Sequence, residues 1–237
     1  MAFIERLPSN GGQNGEQALR ERLLGSPVRL RGVEERDYPS ILRWSKDSRV
    51  MPHLIGVSLE TTDEQFREFY RGVRVHGYVG ELSGGGRIVS TGAFIDPDPN
   101  DPDTFARLRS AELVRVAVDP FLQNSHYGTK SLILALDQRA FNPDDLNYDK
   151  VAAGYIVTTD DQAGYRRIEH ILRNTLGFRV IGIRRDEVVR EYGDSQVRQD
   201  VVLVELDRES WLRRRDKLIR EHFPLTPQQR RGFLNSR

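Results

Sequence analysis

The sequence predicts a single mixed α/β domain. Apolar residues recur at helical spacing in some segments and alternate, or form short continuous runs, in others, so helices and strands are expected to follow one another. Clusters of glycine, proline and aspartate separate these segments and indicate loops. The 237 residues, 38% hydrophobic and 30% charged, suffice for one large domain or two small ones with a highly charged surface.

The composition excludes several classes of protein. The chain has no cysteine, which rules out disulfides, thiolate nucleophiles and Cys-ligated zinc and fits a reducing cytoplasm. A net charge of +1 argues against bulk electrostatic binding to nucleic acid, although local patches remain open. No run approaches the roughly eighteen apolar residues of a membrane span, and the first residues lack the apolar core of an export signal. We therefore expect a cytoplasmic protein with no membrane partner.

The chain is expected to begin with an arm, a strand and two helices. Residues 1–27 contain a stretch rich in glycine and asparagine, and Glu16–Leu24 adds at most two helical turns, so we expect a loosely attached tail. Val28–Val33 alternates apolar and basic residues, as a half-buried strand does. One helix should start at Glu34 and another at Thr62, because apolar residues follow both at helical spacing.

A hairpin and an acidic loop come next. Tyr78–Leu82 and Arg87–Ile95 flank the turn Ser83–Gly86. Its three glycines suggest a phosphate loop, but no Gly-Lys-Ser/Thr follows, and a hairpin turn needs the positive φ that glycine supplies. The loop 96–110 begins with closely spaced aspartates and prolines and is expected to be solvated. At an active-site entrance its carboxylates would instead attract a cationic substrate.

The segment Ala111–Phe141 is the one around which the chain is organised. Ala111–Val118 becomes apolar on both faces, as a strand buried on both sides does, and Asp119-Pro120 ends it. Helix resumes near Gly128 with one apolar stripe. The polar loop between them should leave unpaired N–H groups at a helix N-terminus, where phosphate binds well. On local grounds this is either an ordinary strand–helix connection or an anion site.

The remaining segments read as three strands and two helices. The last helix has a basic face; such faces are usually solvated, and binding of RNA or an acidic partner is the alternative. In order, the expected elements are the strand Lys150–Val157, the helix Ala163–Thr175, the strand Phe178–Ile183, a charged connection Arg184–Tyr192, the strand Asp200–Leu206 and the helix Arg208–Phe223.

This order of elements, with three short motifs, resembles the GNAT superfamily of acetyl-CoA-dependent N-acetyltransferases. The motifs are Val-Ala-Val-Asp-Pro at 116–120, Gln-x-x-x-x-Gly-Thr at 123–129 and Leu-Gly-Phe at 176–178. The opening VRLRGVEERDYPSILRW looks like the ribosomal-protein N-terminal acetyltransferase branch. The resemblance implies a central, mostly antiparallel, twisted sheet flanked by helices. It also implies an acyltransferase domain at 28–206, between an N-terminal arm (1–27) and a basic helical C-terminal extension (207–237).

The resemblance further implies how acetyl-CoA, the co-substrate, would bind. The strand before the loop would splay from its neighbour and pair with the pantetheine arm, and the loop would wrap the pyrophosphate. Gly128 would allow close approach of the backbone. The implied contacts are Val116, Ala117, Val118, Gln123, Asn124, Ser125, His126, Tyr127, Gly128 and Thr129, with Gln162 and Tyr165 as weaker candidates.

The chemistry implied is direct acetyl transfer to a primary amine, with no covalent enzyme intermediate and no metal ion. Glu112 is the candidate general base, because it lies on the strand whose end would meet the acetyl group; the alternative is a structural or surface carboxylate. A carboxylate normally has a pKa near 4 and needs burial or a water relay to act at neutral pH.

Two positions depart from the family pattern. His126 stands where the loop usually has glycine, and Arg173 stands about where many relatives have a tyrosine acid. The function that the resemblance implies is acetyl transfer to a protein N-terminus or to a small polyamine-like or aminoglycoside-like amine. The two departures motivate the alternative, a catalytically silent GNAT-fold module for binding or assembly. The sequence identifies neither the acceptor nor the oligomeric state, and it is compatible with a homo-oligomer.

Overall fold

The chain folds into a seven-stranded sheet with helices on both faces, seen in a computed structural model that describes residues 12–55, 61–98, 109–157, 162–192 and 195–227. The helices are α1 (Gly12–Leu24), α2 (Tyr38–Ser45), α3 (Asp63–Arg71), α4 (Tyr127–Ala135), α5 (Gln162–Glu169) and α6 (Arg208–His222). The strands are β1 (Val28–Gly32), β2 (Val75–Leu82), β3 (Ile88–Ile95), β4 (Ser110–Val118), β5 (Lys150–Val157), β6 (Arg179–Tyr192) and β7 (Ser195–Asp207).

The sheet has the order β1-β2-β3-β4-β5-β7-β6. Every neighbouring pair is antiparallel except β4 and β5, which run parallel and are joined through α4. Helices α4 and α5 each continue into a π-helical turn, Leu136–Ala140 and His170–Leu176. The predicted mixed α/β fold with a mostly antiparallel sheet is confirmed.

Local signals in the sequence place several helix starts. At α3, the Thr62 hydroxyl accepts from the Gln65 N–H at 3.2 Å, and the Gln65 side chain accepts from the Thr62 N–H at 2.9 Å. This reciprocal pair satisfies two donors that a helix start leaves unpaired. At α6 the Asp207 side chain alone acts as the cap, accepting from the Ser210 N–H at 2.8 Å.

The two faces of the sheet carry separate cores. Helices α2 and α3 cover one face, where Phe66 and Ile41 are each 1% exposed. Helix α4 lies on the other, with Ile133 and Leu136 fully buried beside Trp211 of α6. Burial of such side chains supplies about 1.5–3 kcal/mol each before conformational entropy is subtracted. The sheet is therefore a layer between two cores, and any site on its central strands can face either one.

The expectation of a loosely attached N-terminal tail is wrong for residues 12–24. These residues form α1, and Leu19 is buried in the core with α4 and α6. Both Glu16 carboxylate oxygens accept from Arg215 of α6 at 2.8 Å, and Arg22 donates to the Phe223 carbonyl at 3.2 Å. The N-terminal helix thus packs against the C-terminal one.

The strand after Leu-Gly-Phe does not end at Ile183. It continues through the charged segment to Tyr192 and pairs with β7 as far as Ser195. The charged residues pair with one another instead of breaking the strand, as with Arg184 and Glu187 at 3.1 Å. A register shift between Arg184 and Val188, with Asp186 at φ 52°, marks a bulge. The sequence indicated a loop here because both faces of this two-stranded ribbon carry polar side chains, so no apolar periodicity marks the strand.

The basic face of α6 is largely neutralised by the protein itself. Arg213 pairs with Glu209, Lys217 lies 3.8 Å from Glu221, and Arg215 pairs with Asp137. An RNA or acidic partner at this helix stays a prediction. Among the described helices, none is both long and apolar enough to cross a membrane.

Candidate active site

A wedge opens in the middle of the sheet, where β4 and β5 separate. Their parallel pairing runs only from Ser110–Lys150 to Leu113–Ala153. Beyond that point β4 pairs with β3 alone and β5 with β7 alone. Among the described residues, the facing edges of Val114–Val118 and Gly154–Val157 therefore have no strand partner. Exposed N–H and C=O groups of this kind can pair with an extended ligand.

A bulge in β4 accounts for the separation. The pairing of β3 with β4 shifts register between Thr91 and Ala93, and Arg115 has φ 50°. Val114 and Arg115 both face the α2–α3 layer, where Val114 packs on the core and the Arg115 guanidinium lies 3.5 Å from the Phe69 ring centroid. Two consecutive side chains on one face are what a bulge produces, and the strand bends there.

The loop after β4 ends in a helix start without a side-chain cap. Asn124 and His126 are left-handed, with φ 71° and 63°. His126 is the N-cap residue of α4, and its carbonyl accepts from the Lys130 N–H at 3.0 Å. Within the described part of the chain, no side chain or loop carbonyl accepts from the N–H groups of 127–129. Three free N–H groups at the positive end of a helix dipole can bind an anion, and this helix start is the candidate anion site.

Gly128 is required by packing on β4. A Cβ at this position would lie 2.5 Å from Val118 Cγ2, closer than real contacts allow. The first turn of α4 is thereby held against the end of β4, at the open end of the wedge. The structure places the predicted segment 116–118 on the edge of the wedge and 123–129 around the anion site.

Two predicted contacts already use their polar groups or lie buried. Both the N–H and the hydroxyl of Ser125 donate to the Leu122 carbonyl, which fixes the loop. Thr129 is 8% exposed. The anion site therefore depends on backbone N–H groups more than on side chains.

One lysine lies near this helix start. Helix α6 packs against α4, and burial lowers the pKa of His222 at the end of α6, which Glu221 partly opposes. Lys130 lies one turn into α4. His222 is therefore neutral at neutral pH, and Lys130 is the nearby cation.

Glu112 lies at the closed end of the wedge. It is opposite Ala152 of β5, one residue before the last β4–β5 pair. Because Leu113 points into the α4 core, alternation places Glu112 on the other face of the sheet. Its side chain is exposed to solvent, yet desolvation by surrounding protein raises the carboxyl pKa, and Arg184 partly opposes this. A raised pKa suits a base working near neutral pH.

Tyr155 lies on the separated part of β5, and the charge of Arg173 acts on its pKa. Arg173, which pairs with Glu169, stands about where the family pattern has a tyrosine. The Tyr155 ring lies 5.7 Å from that of Tyr165 in α5. Burial raises the pKa of Tyr155 to about 12, so it stays protonated at neutral pH. Sequence motifs missed Tyr155 because strand β5, not helix α5, supplies it; the Gln162 side chain lies outside the described residues.

The described carboxylates of the acidic loop are engaged by the protein. Asp96 accepts from the Tyr148 hydroxyl and lies 2.9 Å from His76 Nε2, and Asp98 lies 3.6 Å from Arg74. The other two aspartates of this loop, Asp101 and Asp103, lie outside the described residues.

No protein-family model matches the chain, and no curated protein matches its sequence. Solved structures do match. A chimera of the spermidine N-acetyltransferase SpeG from Vibrio cholerae and hSSAT is 18% identical, with TM-score 0.59, over 79% of this chain and 99% of that chain. A GNAT-family acetyltransferase from Bacillus anthracis is 17% identical, with TM-score 0.54, over 78% of this chain and 97% of its own. The chain thus has the fold of the GNAT acetyltransferases, as its motifs predicted.

Proposed function

We propose that this protein is an N-acetyltransferase that moves an acetyl group from acetyl-CoA directly to a primary amine. The observation that carries the proposal is the wedge between β4 and β5, which leads to the uncapped start of α4. Its edges offer backbone groups to the amides of an extended pantetheine arm. Its open end offers three N–H groups and the nearby Lys130 ammonium to a pyrophosphate.

The residues fit acetyl-CoA at each end of the wedge. Gly128 brings the helix start against the strand end, so a ligand following β4 would meet the anion site without a gap. Bound there, acetyl-CoA would supply an activated acyl group. The free N–H groups on the edge of β4 would polarise the acyl carbonyl.

Glu112 and Tyr155 would handle the protons. Glu112 would take the proton from the attacking amine, directly or through water, and its raised pKa makes it a stronger base than an ordinary carboxylate. Tyr155, which stays protonated at neutral pH, would donate towards the departing sulfur. The acceptor would be a small amine or a protein N-terminus, in the cytoplasm.

The departure at His126 does not favour the silent-module alternative. His126 adopts the left-handed conformation that glycine would supply, and its side chain is exposed. The loop therefore keeps its path with histidine in that position.

The test combines binding and turnover. Titration with acetyl-CoA should raise the melting temperature, and free thiol should appear only when an amine is added. Glu112→Gln should lower kcat by about 10²–10⁴-fold with acetyl-CoA affinity unchanged.

The acidic limb of the pH profile of kcat/KM should lie above the ordinary carboxyl pKa, because Glu112 must lose its proton to act. Tyr155→Phe should also lower kcat without weakening acetyl-CoA binding.

Thr62→Ala is a control away from the wedge and should affect stability alone. The proposal fails if millimolar acetyl-CoA neither binds nor stabilises the protein. Full turnover by Glu112→Gln would remove Glu112 from the mechanism and leave the acetyl-CoA site standing.

A further inference from the structure

One arginine beside the proposed reaction centre has no anionic partner among the residues that the structure describes. Arg115 lies at the β4 bulge, three residues from Glu112, and its side chain extends into the α2–α3 layer. Its guanidinium lies 3.5 Å from the Phe69 ring centroid and 5.2 Å from that of Phe66. Cation–π contacts of this kind orient the group without neutralising its charge.

The Arg115 side chain is half-buried, and one of its guanidinium nitrogens is fully buried. Its Nη1 atom is buried and, among the described residues, has no hydrogen-bond partner. No described carboxylate lies within ion-pair distance of Arg115. An unpaired buried donor on a charged group is costly, so such a group normally has a partner.

A second stacked arginine in the same layer shows the contrast. Arg67 of α3 lies 5.4 Å from the Tyr38 ring centroid, and its Nη1 pairs with Glu35 at 2.7 Å. Arg115 stacks on Phe66 and Phe69 with no described carboxylate beside it. Its stacked position, its unpartnered Nη1 and its charge suit it to bind an anion from outside the chain.

We propose that Arg115 recognises a carboxylate on the acceptor, so that the preferred acceptor is an amine that also carries a carboxylate, such as a free amino acid. Glu112 lies on the same strand and the same side of the sheet, so an amine bound at Glu112 could place its carboxylate towards Arg115. A guanidinium suits this anion because its N–H groups match carboxylate geometry.

The surrounding charges favour the same class of acceptor. The charge of Arg184 partly opposes the rise in the Glu112 pKa and adds a second positive charge to this region. Two arginines around one carboxylate disfavour polycations and favour a zwitterion. This inference rests on the proposed acetyl transfer and selects among its acceptors.

The test compares amino acids with their amides. An amino acid and its carboxamide share the amine and side chain and differ only in the carboxylate. The wild-type protein should prefer the acid by about 10- to 100-fold in kcat/KM, the range of a hydrogen bond to a charged group. Arg115→Met keeps an apolar contact with Phe69 and should abolish the preference. Arg115→Lys should retain part of the preference for the acid. Arg67→Met is the matched control and should retain the whole preference.

A second measurement does not need turnover. Calorimetry should show the wild-type protein binding an N-acetyl amino acid more tightly than its amide, and Arg115→Met binding both alike. Equal use of acid and amide by a wild-type protein that binds and turns over acetyl-CoA overturns this inference and leaves the proposed function intact. Acid preference retained in Arg115→Met overturns it as well. Failure to bind acetyl-CoA instead overturns the proposed function.

Discussion

His126 carries the backbone strain of the anion site. A left-handed conformation costs a residue with a Cβ roughly 1–2 kcal/mol relative to glycine. His126 (φ 63°) and Asn124 (φ 71°) both have this conformation, two residues apart. The sequence identified position 126 as one where glycine is expected, and the backbone shows the physical reason.

His126→Gly should therefore stabilise the fold. The relief of strain is partly offset by the greater freedom of glycine in the unfolded chain, so the net gain should be about 0.5–1 kcal/mol in the free energy of unfolding. Urea denaturation measures it. Asn124→Gly is the control and should gain less, because asparagine tolerates the left-handed region better. A loss of stability in His126→Gly would mean that imidazole contacts outweigh the strain.

At the scale of elements, the two terminal helices are joined to α4 by one arginine. Arg215 of α6 pairs with Asp137, whose side chain is 8% exposed, and with Glu16 of α1 at 2.8 Å. Burial raises the pKa of Asp137, and Arg215 opposes that shift. Arg215, through Glu16 and Asp137, therefore links the N-terminal helix, the C-terminal helix and the helix that starts at the anion site.

Arg215→Ala should destabilise the protein by about 3–5 kcal/mol at neutral pH, because it leaves the Asp137 carboxylate buried without a partner. The cost should shrink on acidification. The pKa of Asp137 in the folded protein is already raised and would rise further without Arg215. The resulting stability of the variant is fully present below the pKa of Asp137 in the unfolded chain, and it is lost as pH rises through the folded pKa. Urea denaturation at acidic and neutral pH measures both effects.

The control is Arg213→Ala on the same helix. Arg213 is 60% exposed and pairs with Glu209, so its loss should change stability by at most about 0.5 kcal/mol. Equal losses in the two variants, or a pH-independent loss in Arg215→Ala, would contradict the buried role of the Asp137–Arg215 pair.

Local signals in the sequence were enough to predict most helices and strands and part of the candidate site. The apolar spacing in α3, its Thr62 cap and the Lys150–Val157 run each act within a few residues, so the sequence predicts them. The bulge at Arg115 depends on how β4 registers against β3, and Tyr155 meets Arg173 only once α5 packs on β5. Contacts of that kind form between distant segments, and no periodicity encodes them.

Considered whole, the molecule is two half-sheets joined along one short seam. Strands β1 to β4 form one half, and β5, β7 and β6 form the other. In the part of the chain that the structure describes, strand pairing connects them only from Ser110–Lys150 to Leu113–Ala153. A ligand lying in the wedge would contact both halves and replace the pairing that the bulge removes.

Hydrogen exchange should therefore show acetyl-CoA acting on both sides of the wedge. Saturation at about 100 times Kd adds roughly 2.7 kcal/mol to global stability and slows exchange of the most protected amides throughout the fold. Beyond that shared effect, the free N–H groups of 127–129 and the edge amides of Val114–Val118 should gain protection, because the ligand would accept from them directly. The hairpin turn Gly84–Gly86, remote from the wedge, should exchange as before. Protection confined to one half-sheet, or absent at 127–129, would contradict a ligand that spans the wedge from Glu112 to the start of α4.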